Sequence, residues 1–130
     1  MSSEIRTKRW NDPVEPDDGT RILICRYRPR GLPKSEENWH EWQPNLGPSK
    51  ELHAAAYGKH GRQPLDWTSY RTTYLREMRD QKEAISKLAE RVKSGERITL
   101  LCSSSCERAT RCHRSLLVDL IERNLQKTTS

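Results

Sequence analysis

The chain has 130 residues, with 24 Lys and Arg against 18 Asp and Glu, and therefore carries a net charge of +6. This length suits one compact domain and excludes a second independent core, so residues 1–130 are expected to form a single domain. The basic charge favours anionic partners. With a mean hydropathy of −1.01, no apolar run approaches the roughly 18 residues that span a bilayer, and the first residues lack the apolar core of a secretory signal. We therefore expect a cytoplasmic protein without a membrane partner.

Two strands are predicted near the start of the chain. Residues 4–10 alternate weakly and suit a short edge strand. Residues 21–25 form a nearly continuous aliphatic run, which is typical of a strand covered on both faces in an α/β sheet. Pro and Gly residues then exclude both helix and ladder pairing over residues 26–34. This segment is predicted to be a loop at the carboxyl end of the strand.

Tryptophans mark the next segment. Trp39 and Trp42 are three residues apart, which predicts one or two helical turns within residues 35–48. Together with Trp67 they are expected to fill a core that has few other large apolar groups. In the alternative interpretation these rings stack on a base, because aromatic residues close to arginines suit nucleotides or single strands. A short helix should follow, capped by Ser49 and ended at Gly58.

A long helical segment, a strand and a closing helix are predicted in the second half of the chain. Asp66 caps the helical segment, and a break is expected near Asp80. Residues 97–102 form the second buried-type strand, residues 103–111 a polar loop, and residues 116–125 the apolar stripe of the closing helix. The pattern predicts an α/β fold: a single three-layer domain with a small, mostly parallel sheet flanked by helices.

Two basic loops leave the carboxyl ends of the predicted strands, at residues 26–34 and 102–114. Ligands of such sheets bind beyond the carboxyl ends of the strands, so the loops share one crevice if their strands are parallel neighbours. Clustered guanidinium groups bind phosphate or carboxylate through a planar fork of donors. The alternative is that each is a solvated surface charge. The predicted anion-binding residues are Arg26, Arg28, Arg30, Arg108 and Arg114.

Three of the four cysteines fall in the second loop. A disulfide framework is not expected, because the cytosol keeps thiols reduced. Cys102 and Arg108 fit a Cys-x5-Arg pattern between a strand and a helix, in which a thiolate attacks while the loop holds an oxyanion. Cys102 or Cys112 is the predicted nucleophile, and His113 a proton carrier, since the charge of histidine changes near neutral pH.

Two other interpretations of the cysteines remain open. Cys102, Cys106, Cys112 and His113 supply three thiolates and an imidazole, enough for tetrahedral zinc or an iron–sulfur cluster. The adjacent positions of Cys112 and His113 count against both reaching one ion. In the third interpretation the cysteines simply pack at a strand end and a helix start. No metal is therefore assigned.

The sequence, in the order of these segments, resembles the family of domain of unknown function 488 (DUF488). The resemblance covers essentially the whole chain. The matching segments are residues 8–9, 17–24, 26, 29–34, 41–42, 48–52, 70–74 and 99–101. The resemblance implies a cytosolic three-layer α/β domain and no particular reaction. Many relatives have Asp-Arg-Leu-Trp-Pro-Arg-Gly where residues 25–31 here begin with Cys and have Arg28 in place of Trp.

The Cys-His-Arg sequence at residues 112–114 is similar to that of one branch of DUF488, whereas other members retain mainly the His. The resemblance therefore favours His113 and Arg114 over Cys102 as site residues.

The sequence predicts an α/β protein with a basic, Cys/His-containing pocket that binds an anionic small molecule or nucleotide, with thiol-based catalysis left open. One alternative is a metal- or redox-responsive module built on the cysteine cluster. The other is a nucleic-acid-binding module that uses the +6 charge. The sequence alone identifies neither a cofactor, a substrate, a reaction nor an oligomeric state, and leaves open whether the protein is an enzyme.

Overall fold

The computed structural model describes residues 5–29, 31–58, 63–102 and 112–127. Four strands in these ranges form one parallel sheet in the order β1-β4-β2-β3. The strands are β1 (Ile5–Arg9), β2 (Thr20–Leu23), β3 (Glu41–Trp42) and β4 (Ile98–Cys102). The α-helices are α1 (Lys50–Tyr57), α2 (Trp67–Glu77), α3 (Lys82–Lys93) and α4 (His113–Lys127). The predicted α/β fold class is confirmed.

Local signals place the helix boundaries. The hydroxyl of Ser49 accepts a hydrogen bond from the Leu52 N–H and starts α1, which ends at Gly58 in the left-handed conformation. The Asp66 carboxylate accepts from the Ser69 N–H and starts α2. A short 3-10 segment, Met78–Gln81, then separates α2 from α3. The break predicted near Asp80 is therefore confirmed.

The apolar core lies between the helices and one face of the sheet. Ile22 on β2 and Ile98 and Leu100 on β4 point to this face and are at most 1% exposed. Every residue of β4 is buried, because this strand lies between β1 and β2. The helical members of the same cluster are Leu52, Tyr74, Met78, Ile85, Leu88, Ala89, Val92, Leu116, Leu117 and Ile121.

The opposite face of the sheet is covered by a polar layer. Arg21 on β2 is 1% exposed and forms an ion pair with Asp18, which is equally buried. Lys8 approaches the same carboxylate at 2.8 Å. The Thr99 hydroxyl donates to the Asp18 carbonyl at 2.7 Å, and Arg21 Nε donates to the Asn38 carbonyl at 2.8 Å. The sheet is thus enclosed on both faces.

The helix predicted around the tryptophans is wrong. Trp42 instead pairs with Leu23 in β3, between the 3-10 segments Lys34–Glu36 and Pro44–Leu46. The backbone N–H groups of His40 and Gln43 donate to β2 carbonyls at 2.8 Å, so sheet pairing replaces local helical bonding. Nor does Trp42 fill the core, since it is 41% exposed. Trp67 does pack, partly buried, against the core.

No helix in the described ranges is long and apolar enough to cross a membrane.

Replacement of Gly47 by alanine is expected to destabilise the protein by about 1–3 kcal/mol. An added Cβ would lie 2.7 Å from the Arg26 amide nitrogen and 2.8 Å from the Ile24 carbonyl oxygen, both backbone atoms that cannot rotate away. The backbone of Gly47, at φ −84°, is open to any residue, so the whole cost is steric. Urea unfolding measures the loss of stability.

Gly31→Ala is the control: nothing lies within 4 Å of the added Cβ, so this variant isolates the cost of a positive φ. A Gly47→Ala protein with unchanged stability would contradict the close contact.

Candidate anion site at the carboxyl edge of the sheet

The carboxyl ends of three strands meet where α4 begins. β1 and β2 both run parallel to β4, so Arg9 lies beside Cys102 and Leu23 beside Leu101. The condition for a shared crevice, that the strands before the two basic loops are parallel neighbours, is therefore met. Residues 103–111 and Arg30 lie outside the described part of the chain. The site is therefore built here from the strand ends and the first turn of α4.

Arg114 is the distinctive side chain of this edge. It lies in the first turn of α4 and is 6% exposed. Its Nε is buried and has no hydrogen-bond partner within the described residues. Buried guanidinium groups are normally paired, since an unmet donor loses its water without replacement. Arg114 therefore has unused hydrogen-bonding capacity.

A carboxylate lies within electrostatic range of Arg114. Asp12 accepts a hydrogen bond from the Arg9 backbone N–H at 2.9 Å and pairs with the Arg9 guanidinium at 3.2 Å. These contacts lower the pKa of Asp12, and the positive charge of Arg114 lowers it further. Asp12 thus stays ionised and is occupied mainly by Arg9. Asp12 was not among the predicted site residues, although an Asp that follows a strand and precedes Pro is a common turn signal.

His113 is held as a neutral imidazole. It is 8% exposed, its ring centroid lies 5.6 Å from that of Tyr74, and its Nε2 lies 2.9 Å from the Ile24 carbonyl. Because a carbonyl only accepts, Nε2 carries the hydrogen and donates it. Burial lowers the pKa of His113 to about 4; the bond to Ile24 opposes this shift, and Arg114 and His53 add to it. The prediction that His113 changes charge near neutral pH is wrong, because desolvation disfavours the imidazolium.

The cysteines at this edge are not activated thiolates. Cys102 is fully buried, and burial raises its pKa to about 11, although Arg114 opposes the shift. Burial likewise raises the pKa of Cys25, at the end of β2, to about 12. Both are protonated thiols at neutral pH, which contradicts a nucleophilic Cys102.

Cys112 is disulfide-bonded. This bond departs from the expectation that the thiols are reduced, and Cys112 is not a free nucleophile in this state. Its Sγ lies 3.9 Å from His113 Nδ1, the nitrogen that does not carry the hydrogen.

Family comparison places the chain. It matches the family described as the active DUF488-N3 subclade over residues 5–125. The chain belongs to this DUF488 family. It is 35% identical over 115 residues to the uncharacterized protein YeaO of Escherichia coli (strain K12), which covers 88% of this chain and 94% of the relative. It is 27% identical over 119 residues to the uncharacterized protein Rv3073c of Mycobacterium tuberculosis (strain ATCC 25618 / H37Rv), covering 92% and 94%. No solved structure matches.

In this DUF488-N3 protein, Arg26 and Arg28 of the first basic loop differ in their contacts. Arg26, three residues after the end of β2, is half-buried and has no ion pair with a described residue. Arg28 instead donates from Nε to Glu37 at 2.5 Å and from Nη2 to the Leu32 carbonyl at 3.1 Å. Glu37 thus holds the guanidinium of Arg28, and the assignment of Arg28 to the shared anion pocket stays a prediction.

Three of the predicted site residues lie outside the described part of the chain: Arg30, Cys106 and Arg108. Among the residues that can be searched, no three His, Cys, Asp or Glu side chains are grouped as metal ligands. The alternative set of Cys102, Cys106, Cys112 and His113 includes one residue outside the described ranges. The metal interpretation of that set stays a prediction.

Proposed function

We propose that this DUF488-N3 protein binds an anionic small molecule or nucleotide at the carboxyl edge of its sheet. The site, called the α4 anion site, consists of the first turn of α4 and the side chain of Arg114. The single observation that carries the proposal is the buried Nε of Arg114, which has no hydrogen-bond partner among the residues that the structure describes.

Charge and desolvation argue for an anion at this point. A buried guanidinium nitrogen that lacks an acceptor is destabilising, and a bound carboxylate or phosphate would supply an acceptor to it. The start of α4, a helix of 15 residues, adds the positive end of its dipole. Asp12 is already paired with Arg9 at 3.2 Å, so it competes weakly for Arg114. Both features favour a small ligand that carries at least one negative charge.

The chemistry of the neighbours argues for binding rather than for thiol catalysis. His113 donates from Nε2 to Ile24 at 2.9 Å and has a pKa of about 4, so it neither adds positive charge nor carries a proton at neutral pH. Cys102, with a pKa of about 11, is a thiol under the same conditions. The proposal therefore includes no nucleophilic step.

Arg114→Met tests the proposal in two measurements, with inorganic pyrophosphate as the probe. The unliganded variant should be at least as stable as the wild type in urea, because the Nε of this buried guanidinium has no acceptor among the described residues and its replacement by an apolar group of similar length is neutral or stabilising. Pyrophosphate should bind the wild type in calorimetry and raise its melting temperature. In the variant this binding should weaken by roughly tenfold or more, as expected for a lost charged hydrogen-bonding partner.

Arg123→Met is the matched control, because Arg123 is an exposed arginine on the same helix. It removes the same charge from the chain and should leave pyrophosphate binding within about twofold, since an exposed charge far from the ligand is screened by solvent. Equal losses of pyrophosphate affinity in both variants would mean that only the net charge of the chain matters. An Arg114→Met protein that binds as the wild type does would refute the α4 anion site.

Redox response is a second candidate function, and the disulfide at Cys112 favours it. Reduction would leave a thiol 3.9 Å from His113 Nδ1 at the start of α4, where the helix dipole stabilises a thiolate. Pyrophosphate affinity measured with and without dithiothreitol tests this candidate. Equal affinities in both states would exclude redox control of the α4 anion site.

A further inference from the structure

A concave surface lies beside the edge strand β3. It is a groove of about 500 Å³, within the range of about 300–1,000 Å³ typical of small-molecule sites. No residue of the α4 anion site lines it. The lining residues of this edge groove are Arg28, Lys34, Glu37, Trp39, His40 and Trp42.

Trp42 gives the edge groove a fixed and exposed aromatic surface. The residue is 41% exposed, which is unusual for so large an apolar side chain. Its orientation is nevertheless fixed, because the indole N–H donates to the Cys25 carbonyl at 2.8 Å and the backbone pairs with Leu23. With its only polar atom already bonded, the exposed part of the ring offers an apolar face. Such a ring suits stacking by a planar ligand.

Trp39 is occupied differently. The Arg28 guanidinium carbon lies 5.9 Å from the centroid of its ring, and the Nε of Arg28 donates to Glu37 at 2.5 Å. The salt bridge neutralises Arg28 and locks this wall of the groove. Only one oxygen of Glu37 is used by Arg28, so the other remains an acceptor among the described residues.

The edge groove also has donors and one unbalanced positive charge. His40 accepts at Nδ1 from the Arg21 backbone N–H at 2.9 Å, so its hydrogen is on Nε2 and can be donated. Lys34 is exposed and has no ion-pair partner in the described ranges. Since Arg28 and Glu37 cancel, Lys34 leaves the lining with a net positive charge.

The edge groove thus contains an exposed aromatic ring, hydrogen-bond donors, an acceptor and one cation. These features match the parts of a nucleotide. A nucleobase has a π-face and a polar edge, and its phosphate is an anion. We propose that the edge groove binds a free nucleotide, whose base stacks on Trp42 and whose phosphate pairs with Lys34. A free nucleotide is favoured over a strand because the groove presents one open aromatic face and one net charge, whereas strand-binding grooves repeat both. This inference does not depend on the α4 anion site.

Calorimetry with adenosine monophosphate, adenosine and ribose 5-phosphate tests the inference on the full chain. The monophosphate should bind most tightly, adenosine more weakly and with less dependence on salt, and ribose 5-phosphate least. Trp42→Leu should weaken binding of the monophosphate roughly 5- to 150-fold, the range that base–aromatic stacking supplies. Trp42→Phe should retain most of the affinity because it keeps an aromatic ring.

Lys34→Met removes no described intramolecular bond of the side chain, so it tests the groove even if Trp42→Leu fails to fold. It should reduce the affinity for the monophosphate to that for adenosine. Tyr27→Leu is the matched control, since Tyr27 is a 47% exposed aromatic residue outside the lining. It should leave binding unchanged.

Several results would overturn the inference. These are undetectable binding of all three probes, ribose 5-phosphate binding as tightly as the monophosphate, or full affinity in the Lys34→Met protein. Arg114→Met separates the two proposals: loss of monophosphate binding there, with retention in Trp42→Leu, would assign the nucleotide to the α4 anion site. A short single-stranded oligonucleotide could instead bind far more tightly than the monophosphate and lose affinity steeply with salt. This result would identify a nucleic-acid strand, rather than a free nucleotide, as the ligand of the groove.

Discussion

Replacing Asp18 by asparagine is expected to lower the free energy of unfolding by about 3–5 kcal/mol, the cost of breaking a buried ion pair by removing one partner. Asp18 and Arg21 are each 1% exposed and are paired with one another. Lys8, 10% exposed, approaches the same carboxylate at 2.8 Å. Without the carboxylate, two cations would remain close together with little access to water. The polar layer would then lose the anion that holds it against the sheet.

Asp17→Asn is the matched control for this measurement. Asp17 is the preceding residue, and it forms a 3.1 Å ion pair with Arg97 in which the two side chains are 78% and 56% exposed. An exposed pair of this kind contributes about 0–1 kcal/mol. Urea unfolding of both variants at neutral pH therefore separates a buried from an exposed carboxylate at adjacent positions. Similar losses in the two variants would contradict the role assigned to Asp18.

The same carboxylate predicts a loss of stability in acid. Burial alone would raise the pKa of Asp18, but hydrogen bonds from Lys8, the Glu15 N–H and Arg21 outweigh burial, and the pKa lies below 3.8. A carboxylate with a lowered pKa stabilises the folded state at neutral pH, and this contribution disappears as the pH falls through the folded-state pKa. The Asp18 contribution is therefore lost below about pH 4, and Asp18→Asn should flatten this part of the pH profile.

Local signals in the sequence were enough to predict most of the helices. Ser49 and Gly58 bound α1, and Asp66 starts α2, because a cap acts on backbone groups within a few residues. The strands before both basic loops followed from their aliphatic runs in the same way. The α/β fold class was predictable because these elements alternate along the chain.

Long-range contacts account for the failures. Trp39 and Trp42 have helical spacing, but the hydrogen bonds of His40 and Gln43 to β2 place Trp42 in a strand. Nothing near Arg28 in sequence indicates that Glu37, nine residues away, holds its guanidinium. The ordinary pKa of histidine likewise does not indicate that His113 is buried against Ile24 and Tyr74, both of which lie far from it in the sequence.

The location of the candidate site, at the carboxyl edge of the sheet, was predictable from the sequence, but the chemistry of its side chains was not. Arg114 was predicted as an anion-binding residue because a strand, a basic loop and a helix start follow one another there. Its burial, and the lack of a partner for its Nε within the described ranges, depend on the packing of α4 against the strands. Such a property cannot be inferred from the neighbours of a residue in the sequence.

A second loss of stability in acid is expected at higher pH, and it belongs to His113. The unfolded chain binds a proton on this histidine near pH 6.5, whereas burial in the folded state lowers the pKa to about 4. Between these values the unfolded state binds more protons, so stability falls as the pH is lowered through this window. At about 1.4 kcal/mol for each unit of pKa difference, the full loss is about 3 kcal/mol. It is complete near the pH at which the Asp18 contribution begins to decline.

His113→Gln separates the two acid transitions. Glutamine keeps an N–H donor for the Ile24 carbonyl but does not titrate, so the variant should show little change between about pH 6.5 and pH 4 while retaining the lower transition. His53→Gln, on α1, is the control: it removes only the smallest of the named contributions to the His113 pKa and should keep both transitions. Urea unfolding at half-unit pH intervals resolves the two pH windows, and an unchanged slope of stability against pH in the upper window of His113→Gln would contradict a buried neutral imidazole.

Because Nε2–H is already donated to Ile24, the extra proton must enter at Nδ1, beside Cys112 and within the field of Arg114. Acid should therefore loosen the first turn of α4, the same turn that forms the proposed anion site.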